Sequence, residues 1–120
     1  MADELTINSS LRINSVSGGL PVLVHQKTAT VDQTNKEKVS LTLACSTTTA
    51  SIDLSGLTAE GYTFFENIGT ASDAVVLIGT NEAFVVPTGV GYVTCLSSNS
   101  TYVAKTASGT TTLVVEAYGS

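Results

Sequence analysis

A chain of 120 residues with 42% apolar and only 12% charged side chains can bury a core of its own and is too apolar for disorder. Its net charge of −5 denies it the cationic field that binding to phosphates requires, which sets nucleic acid aside as a partner. With His25 the only histidine and no close pair of cysteines, the usual zinc sites cannot be assembled within one chain.

The opening MADELTINSS has neither a basic n-region nor an apolar h-region, so no signal peptide is expected. No apolar run approaches the roughly 18 residues of a membrane helix, so folding in a cytosol is expected and no membrane partner. Leu5 and Ile7 alternate with Glu4, Thr6 and Asn8, and Leu11 and Ile13 keep the period of two, as short strands do. Ser17-Gly18-Gly19 reads as a turn. Leu20 to Val24 is a denser apolar run whose Pro21 removes a ladder donor, which suits an edge strand or a strand's first residues. Lys27 to Lys38 reads as a polar connection with its tip at Thr34-Asn35.

Val39, Leu41 and Leu43 then alternate with Ser40, Thr42 and Ala44 in a half-buried strand. Ile52 and Leu54 precede a turn at Ser55-Gly56-Leu57-Thr58. No window carries an apolar stripe at helical spacing, and at most one helical turn fits between Leu57 and Gly61. From Gly61 to Thr106 come five short β-prone runs, YTFFENIG, AVVLIG, AFVVP, YVTCL and TYVAKT. They are punctuated at Gly69, Ser72-Asp73, Thr80-Asn81, Thr88-Gly89 and Ser97-Ser98-Asn99. The last strand, Thr111 to Tyr118, sets Leu113, Val115 and Ala117 on one face and Val114, Glu116 and Tyr118 on the other. Being partly apolar on both, it is either central in its sheet or covered by another subunit.

These elements describe an all-β chain, a single antiparallel β-sandwich over residues 1–120 with Met1 to Ile7 as a candidate N-terminal arm. Val39, Leu41, Leu43, Phe64, Val75, Leu77, Val93 and Val115 are its expected buried residues. Cys45 and Cys95 end or sit within apolar runs and are expected to be buried thiols, not a disulfide. Between Val39 and Ala104 there is no Lys or Arg, while Asp53, Glu60, Glu66, Asp73 and Glu82 fall there. One part of the domain should therefore carry an unrelieved acidic surface, with Lys27, Lys36 and Lys38 clustered just before it.

The residues that chemistry would use read as structural. His25 follows LPVLV and fits a strand end or a solvated position. Gly89-Val90-Gly91 lacks the further Gly, the Lys and the helix of a phosphate loop, and reads as a hairpin or bulge turn. Asp73 and Asn81-Glu82 lack the alternating acidic spacing of a calcium loop and read as solvated turn residues. Tyr62, Tyr92 and Tyr102 would supply a sugar platform only if exposed, and each falls in a strand run where packing is the ordinary use. No catalytic residue, metal or cofactor is expected.

Tyr62-Thr63-Phe64-Phe65-Glu66-Asn67-Ile68-Gly69, then Ala74-Val75-Val76-Leu77-Ile78-Gly79, then Ala83-Phe84-Val85-Val86-Pro87 form a distinctive series. With the ELTINSSLRIN opening and the closing Tyr102 to Lys105 and Thr111 to Tyr118 runs, it resembles a family of small virion structural proteins from tailed bacteriophages. Those proteins tend to carry a leucine-x-proline-glycine-glutamate turn where this chain has Val86-Pro87-Thr88-Gly89, so the glutamate is missing. The resemblance implies a jelly-roll-like β-sandwich with no enzymatic activity, assembled in the host cytoplasm into the virion. It implies a homo-oligomer, a trimer for preference, whose partner is the major capsid protein or another virion protein. A capsid decoration (cement) role and a tail or fibre-associated structural role, including a receptor- or glycan-binding module, both fit that implication. Leu5 and Ile7 of the arm and Val114 and Tyr118 of the two-sided last strand are the candidate interface residues.

Overall fold

A computed structural model describes residues 5–13, 23–33, 37–57, 61–97 and 100–119. Every regular element among them is a strand. The chain divides into two compact units, one within residues 1–33 and one within 34–120. The expected turn at Ser17-Gly18-Gly19, the residues Leu20 and Pro21, the tip at Thr34-Asn35 and most of the Leu57–Gly61 helical turn lie outside the described residues, as do the first four residues of the arm.

The first unit is a hairpin. Strand β1 (Leu5–Ile13) pairs antiparallel with β2 (Leu23–Val31), from Leu5 opposite Val31 to Ile13 opposite Leu23. Two expectations change here. The two short N-terminal runs are one nine-residue strand, and Lys27 to Val31 is strand, not a polar connection. The β-branched Thr28, Thr30 and Val31 favour the extended backbone, and pairing with Leu5 to Ser9 holds them in it. Leu5 to Ile7 are therefore paired residues.

The second unit contains β3 (Lys38–Cys45), β4 (Ala50–Ile52), β5 (Gly61–Asn67), β6 (Ala74–Ile78), β7 (Asn81–Val86), β8 (Gly91–Leu96), β9 (Tyr102–Lys105) and β10 (Thr111–Gly119). They form two four-stranded antiparallel sheets, ordered β3-β10-β5-β8 and β4-β9-β6-β7. The pairing is nested: β6 with β7, then β5 with β8, β4 with β9 and β3 with β10. This is one long antiparallel ribbon whose successive pairs alternate between sheets. It is rolled up so that β10 also pairs β5 and β9 also pairs β6, which is the jelly-roll sandwich.

The ribbon's tip is the two-residue loop between Ile78 and Asn81, where Gly79 takes φ +63, a left-handed conformation that a side chain would strain. By contrast Gly89-Val90-Gly91 is not a hairpin turn. Its flanking strands β7 and β8 lie in opposite sheets, so the segment is a corner, closed by Val90 N–H donating to the Pro87 carbonyl at 3.1 Å.

The core lies between the two sheets. The first contributes Cys45, Phe65, Leu96, Leu113, Val115 and Ala117, the second Ile52, Ala74, Val76, Val86, Tyr102 and Ala104, and Leu54 and Leu57 close it from the loop after β4. Each large apolar side chain fully buried here contributes about 1.5–3 kcal/mol before entropy is counted. Of the expected buried set, Val115 and Leu77 are buried, while Val39, Leu41 and Leu43 are half-buried and pack against the core. Phe64 is a correction: it is 38% exposed and Phe65 is the fully buried ring. The FF pair straddles the two faces of β5, and pairing with Val115 of β10 puts Phe65 inside. Val75 and Val93 are likewise half-buried, because Val76 and the Thr94–Leu96 phase point inward in their place.

A buried polar clamp joins both sheets at one end. Asn67 closes β5 with its side chain fully buried. Its Nδ2 donates to the Ser72 carbonyl at 2.9 Å and the Val86 carbonyl at 3.0 Å, and its Oδ1 accepts from Gly69 N–H at 3.0 Å and Thr111 Oγ1 at 2.5 Å. Both donors and both acceptor positions are satisfied, as a buried amide requires. One side chain thus ties the β5–β6 loop, the end of β7 and the start of β10 together.

Candidate interaction surface

The outer face of the β3-β10-β5-β8 sheet follows from register. Residues directly opposite one another share a face. Tyr118 lies between Lys38 and Tyr62, with Cys95 beyond Tyr62. In the next outward row, Glu116 lies between Ser40 and Phe64, with Val93 beyond Phe64. Then Val114 lies between Thr42 and Glu66, with Gly91 on the far edge.

The two sides of this face differ. At the β3 edge it is polar: Ser40 Oγ donates to Glu116 Oε2 at 2.6 Å, Lys38 Nζ lies 3.6 Å from the same oxygen, and that ammonium sits 5.7 Å from the Tyr118 ring centre. Toward β8 it becomes apolar, with Tyr62, Phe64, Val93 and Val114 as neighbours. Phe64 lies across the face so closely that a Cβ on Gly91 would stand 2.8 Å from its Cζ. Glycine at 91 leaves the room that the ring occupies beside the β8 edge. Of these Phe64 is exposed, while Tyr62, Val93 and Val114 are half-buried, so three adjacent strands present apolar side chains side by side on this face.

At the outer edges of both sheets, Phe84 of β7 bridges to Phe65 and Tyr92, with ring centres 5.2 and 4.9 Å apart. Tyr92, Val85, Val90 and Ile68 are each substantially exposed. Tyr102 is used differently: it is buried, and its hydroxyl accepts from Ser97 N–H at 3.0 Å.

Of the candidate interface residues, Val114 and Tyr118 are brought together on this outer face, half-buried, one two-residue step either side of Glu116. Leu5 and Ile7 share one side of the hairpin and are also half-buried. The two pairs belong to different units. What sequence reasoning missed is the Phe64–Gly91 contact and the clustering of Tyr62 and Val93 beside Val114, since these depend on which strands pair.

The remaining candidates are placed plainly. Cys45 is buried and Cys95 is exposed, which corrects the expectation of two buried thiols, and they form no disulfide. Opposite Tyr62, Cys95 points outward, and Leu96 takes the core position. Burial pushes the Cys45 thiol above its ordinary pKa. Asp73 Oδ1 accepts from Thr88 N–H at 3.2 Å and so pins the β7–β8 corner. Asp53 accepts from Ser55 N–H at 2.9 Å, a bond that holds its carboxyl below the usual range and shapes the turn after β4. His25 lies opposite Leu11 in the hairpin ladder. Among the described residues no three His, Cys, Asp or Glu side chains converge as a metal site would require, and no helix is long and apolar enough to cross a membrane. No family model matches the chain, and no curated protein sequence matches it.

Proposed function

We propose that this chain is a non-enzymatic structural subunit of a bacteriophage particle, a capsid decoration (cement) protein that self-associates, as a trimer, and binds between major capsid subunits. The observation that carries the reading is the outward set Tyr62, Phe64, Val93 and Val114 on the adjacent strands β10, β5 and β8 of a jelly-roll sheet, a face suited to packing against another protein. The jelly roll is an architecture that viral capsid domains use, and lectins and cupins share it, so fold alone does not select the role. The likeness of the Tyr62–Pro87 series to small tailed-phage virion proteins does that selecting. Threefold axes on icosahedral shells favour a subunit of matching cyclic symmetry.

The test is addition of purified protein to preformed capsids that lack it, followed by co-sedimentation and imaging. Binding at capsid sites is expected, and Phe64→Glu is expected to weaken it at least tenfold while leaving the circular dichroism spectrum unchanged. Density on tails alone would reject the cement role. A protein that ignores particles but binds a glycan would overturn the structural reading altogether.

A further inference from the structure

We propose that the β8 edge of one chain pairs antiparallel with the β3 edge of a second copy, so that the β3-β10-β5-β8 sheet continues from subunit to subunit. This deepens the reading of the chain as a self-associating subunit and rests on it. Three bonds fix the hydrogen-bond phase of the sheet. Gly119 N–H donates to the Glu37 carbonyl at 3.0 Å, Ile68 N–H to the Thr112 carbonyl at 3.0 Å, and Asn67 N–H to the Val90 carbonyl at 3.1 Å. Hydrogen-bonded and non-hydrogen-bonded pairs alternate along antiparallel strands. The odd-numbered residues of β3 therefore bond β10, and the even-numbered residues of β8 bond β5. That turns the backbone groups of Lys38, Ser40, Thr42 and Ala44 out from the β3 edge, and those of Gly91 and Val93 out from the β8 edge. Among the described residues no further strand pairs with either edge. An unpaired row of N–H and C=O groups is a template for another strand.

The edges of the other sheet are guarded against such pairing. Strand β4 has only three residues, while β7 carries Glu82, takes a register shift against β6 and runs into Pro87. Strand β8 has no charge, no proline and an unbroken register with β5 over six residues. Strand β3 is equally regular against β10, and Lys38 at its start is its one charged residue.

The two unguarded edges fit each other. Four strands of alternating direction make β3 and β8 run opposite ways, and their outward groups fall in the same rows of the outer face. Ser40 and Val93 end one row, Thr42 and Gly91 the next. Strand β8 of one copy and β3 of the next therefore meet as an antiparallel pair with inner and outer faces kept on their own sides. Val93 then lies opposite Ser40 of the next copy, and Gly91 opposite Thr42. The Phe64 ring, which lies beside Gly91, gains β-branched Thr42 as a cross-strand neighbour. No like charges oppose each other, because β8 has none. Each copy offers one edge of each kind, so the contact is head-to-tail and closes as a ring, the cyclic symmetry of a trimer.

Full-length chains test this with one thiol each. One carries Val93→Cys with Cys45→Ala and Cys95→Ser; the other carries Ser40→Cys with the same two replacements. A hydrogen-bonded antiparallel pair holds its Cα atoms about 5.5 Å apart, within the span of a disulfide. Mixed and mildly oxidised, the two chains are expected to form the mixed disulfide dimer at least ten times faster than a control pair in which Ser51→Cys, on the exposed β4 edge, replaces Ser40→Cys. Equal rates, or dimers of the Val93→Cys chain with itself in preference, overturn the proposal. Proline gives a second test, since the N–H groups of Val93 and Thr42 point away from β5 and β10 and their loss removes no bond within the subunit. In sedimentation, Val93→Pro and Thr42→Pro are each expected to raise the dissociation constant at least tenfold with the circular dichroism spectrum unchanged. Folded variants that associate as the wild type does overturn the pairing, as does a wild type that stays monomeric at high concentration. Capsid binding by the wild type without the Val93–Ser40 cross-link removes this inference alone, whereas the cross-link without capsid binding removes the cement reading alone.

Discussion

Phe64 and Phe65 are adjacent in sequence and opposite in role. Phe65 is fully buried between the sheets, so Phe65→Ala is expected to cost about 3–5 kcal/mol in urea unfolding. Phe64 packs only across strands on the outer face, and Phe64→Ala is expected to cost about 1 kcal/mol or less. Asn67 is the residue whose weight sequence reasoning underestimated. Asn67→Asp keeps the shape and the two acceptors but loses both donors to the Ser72 and Val86 carbonyls and buries a charge, so a loss of about 3 kcal/mol or more is expected. The two cysteines separate in the same way. Alkylation of native protein at pH 8 is expected to modify exposed Cys95 at least tenfold faster than buried Cys45. Because the folded pKa of Cys45 is raised, its contribution to stability is complete below the unfolded thiol value and is lost as pH rises toward the folded one. Stability should therefore fall above about pH 8.5, and Cys45→Ala should flatten that part of the curve.

At the scale of elements, alternation was legible and pairing was not. The period of two in Val39–Ala44 and Thr111–Tyr118 identified both strands and the inward set of the second, Leu113, Val115 and Ala117, all fully buried. The alternative that the last strand is central in its sheet holds, since β10 lies between β3 and β5. Nothing in its local sequence could reveal that its partners begin at Lys38 and Gly61, because those contacts span most of the domain. For the same reason the outer apolar face was only half visible: Val114 and Tyr118 stood out by alternation, whereas Tyr62 and Val93 joined them only through register. The Phe64–Gly91 contact gives that register a test. Gly91→Ala drives a Cβ against the Phe64 ring and is expected to destabilise the fold, and Phe64→Ala should relieve much of the cost. The double-mutant cycle should then show a coupling of about 0.5–1 kcal/mol or more; strict additivity would show the ring does not lie over β8.

At the scale of the whole molecule, the nested ribbon explains why so lightly charged a chain can hold a defined fold. Seven of its eight strands have a partner that is not their neighbour in sequence, β7 alone pairing only with β6, so the two sheets form together or not at all, and cooperative unfolding is the expected behaviour. Among the described residues, the core cluster draws its buried members from residues 45–117. Residues 37–119 expressed alone should therefore give the same strand-dominated circular dichroism spectrum as the full chain and a single transition within a few degrees of its midpoint.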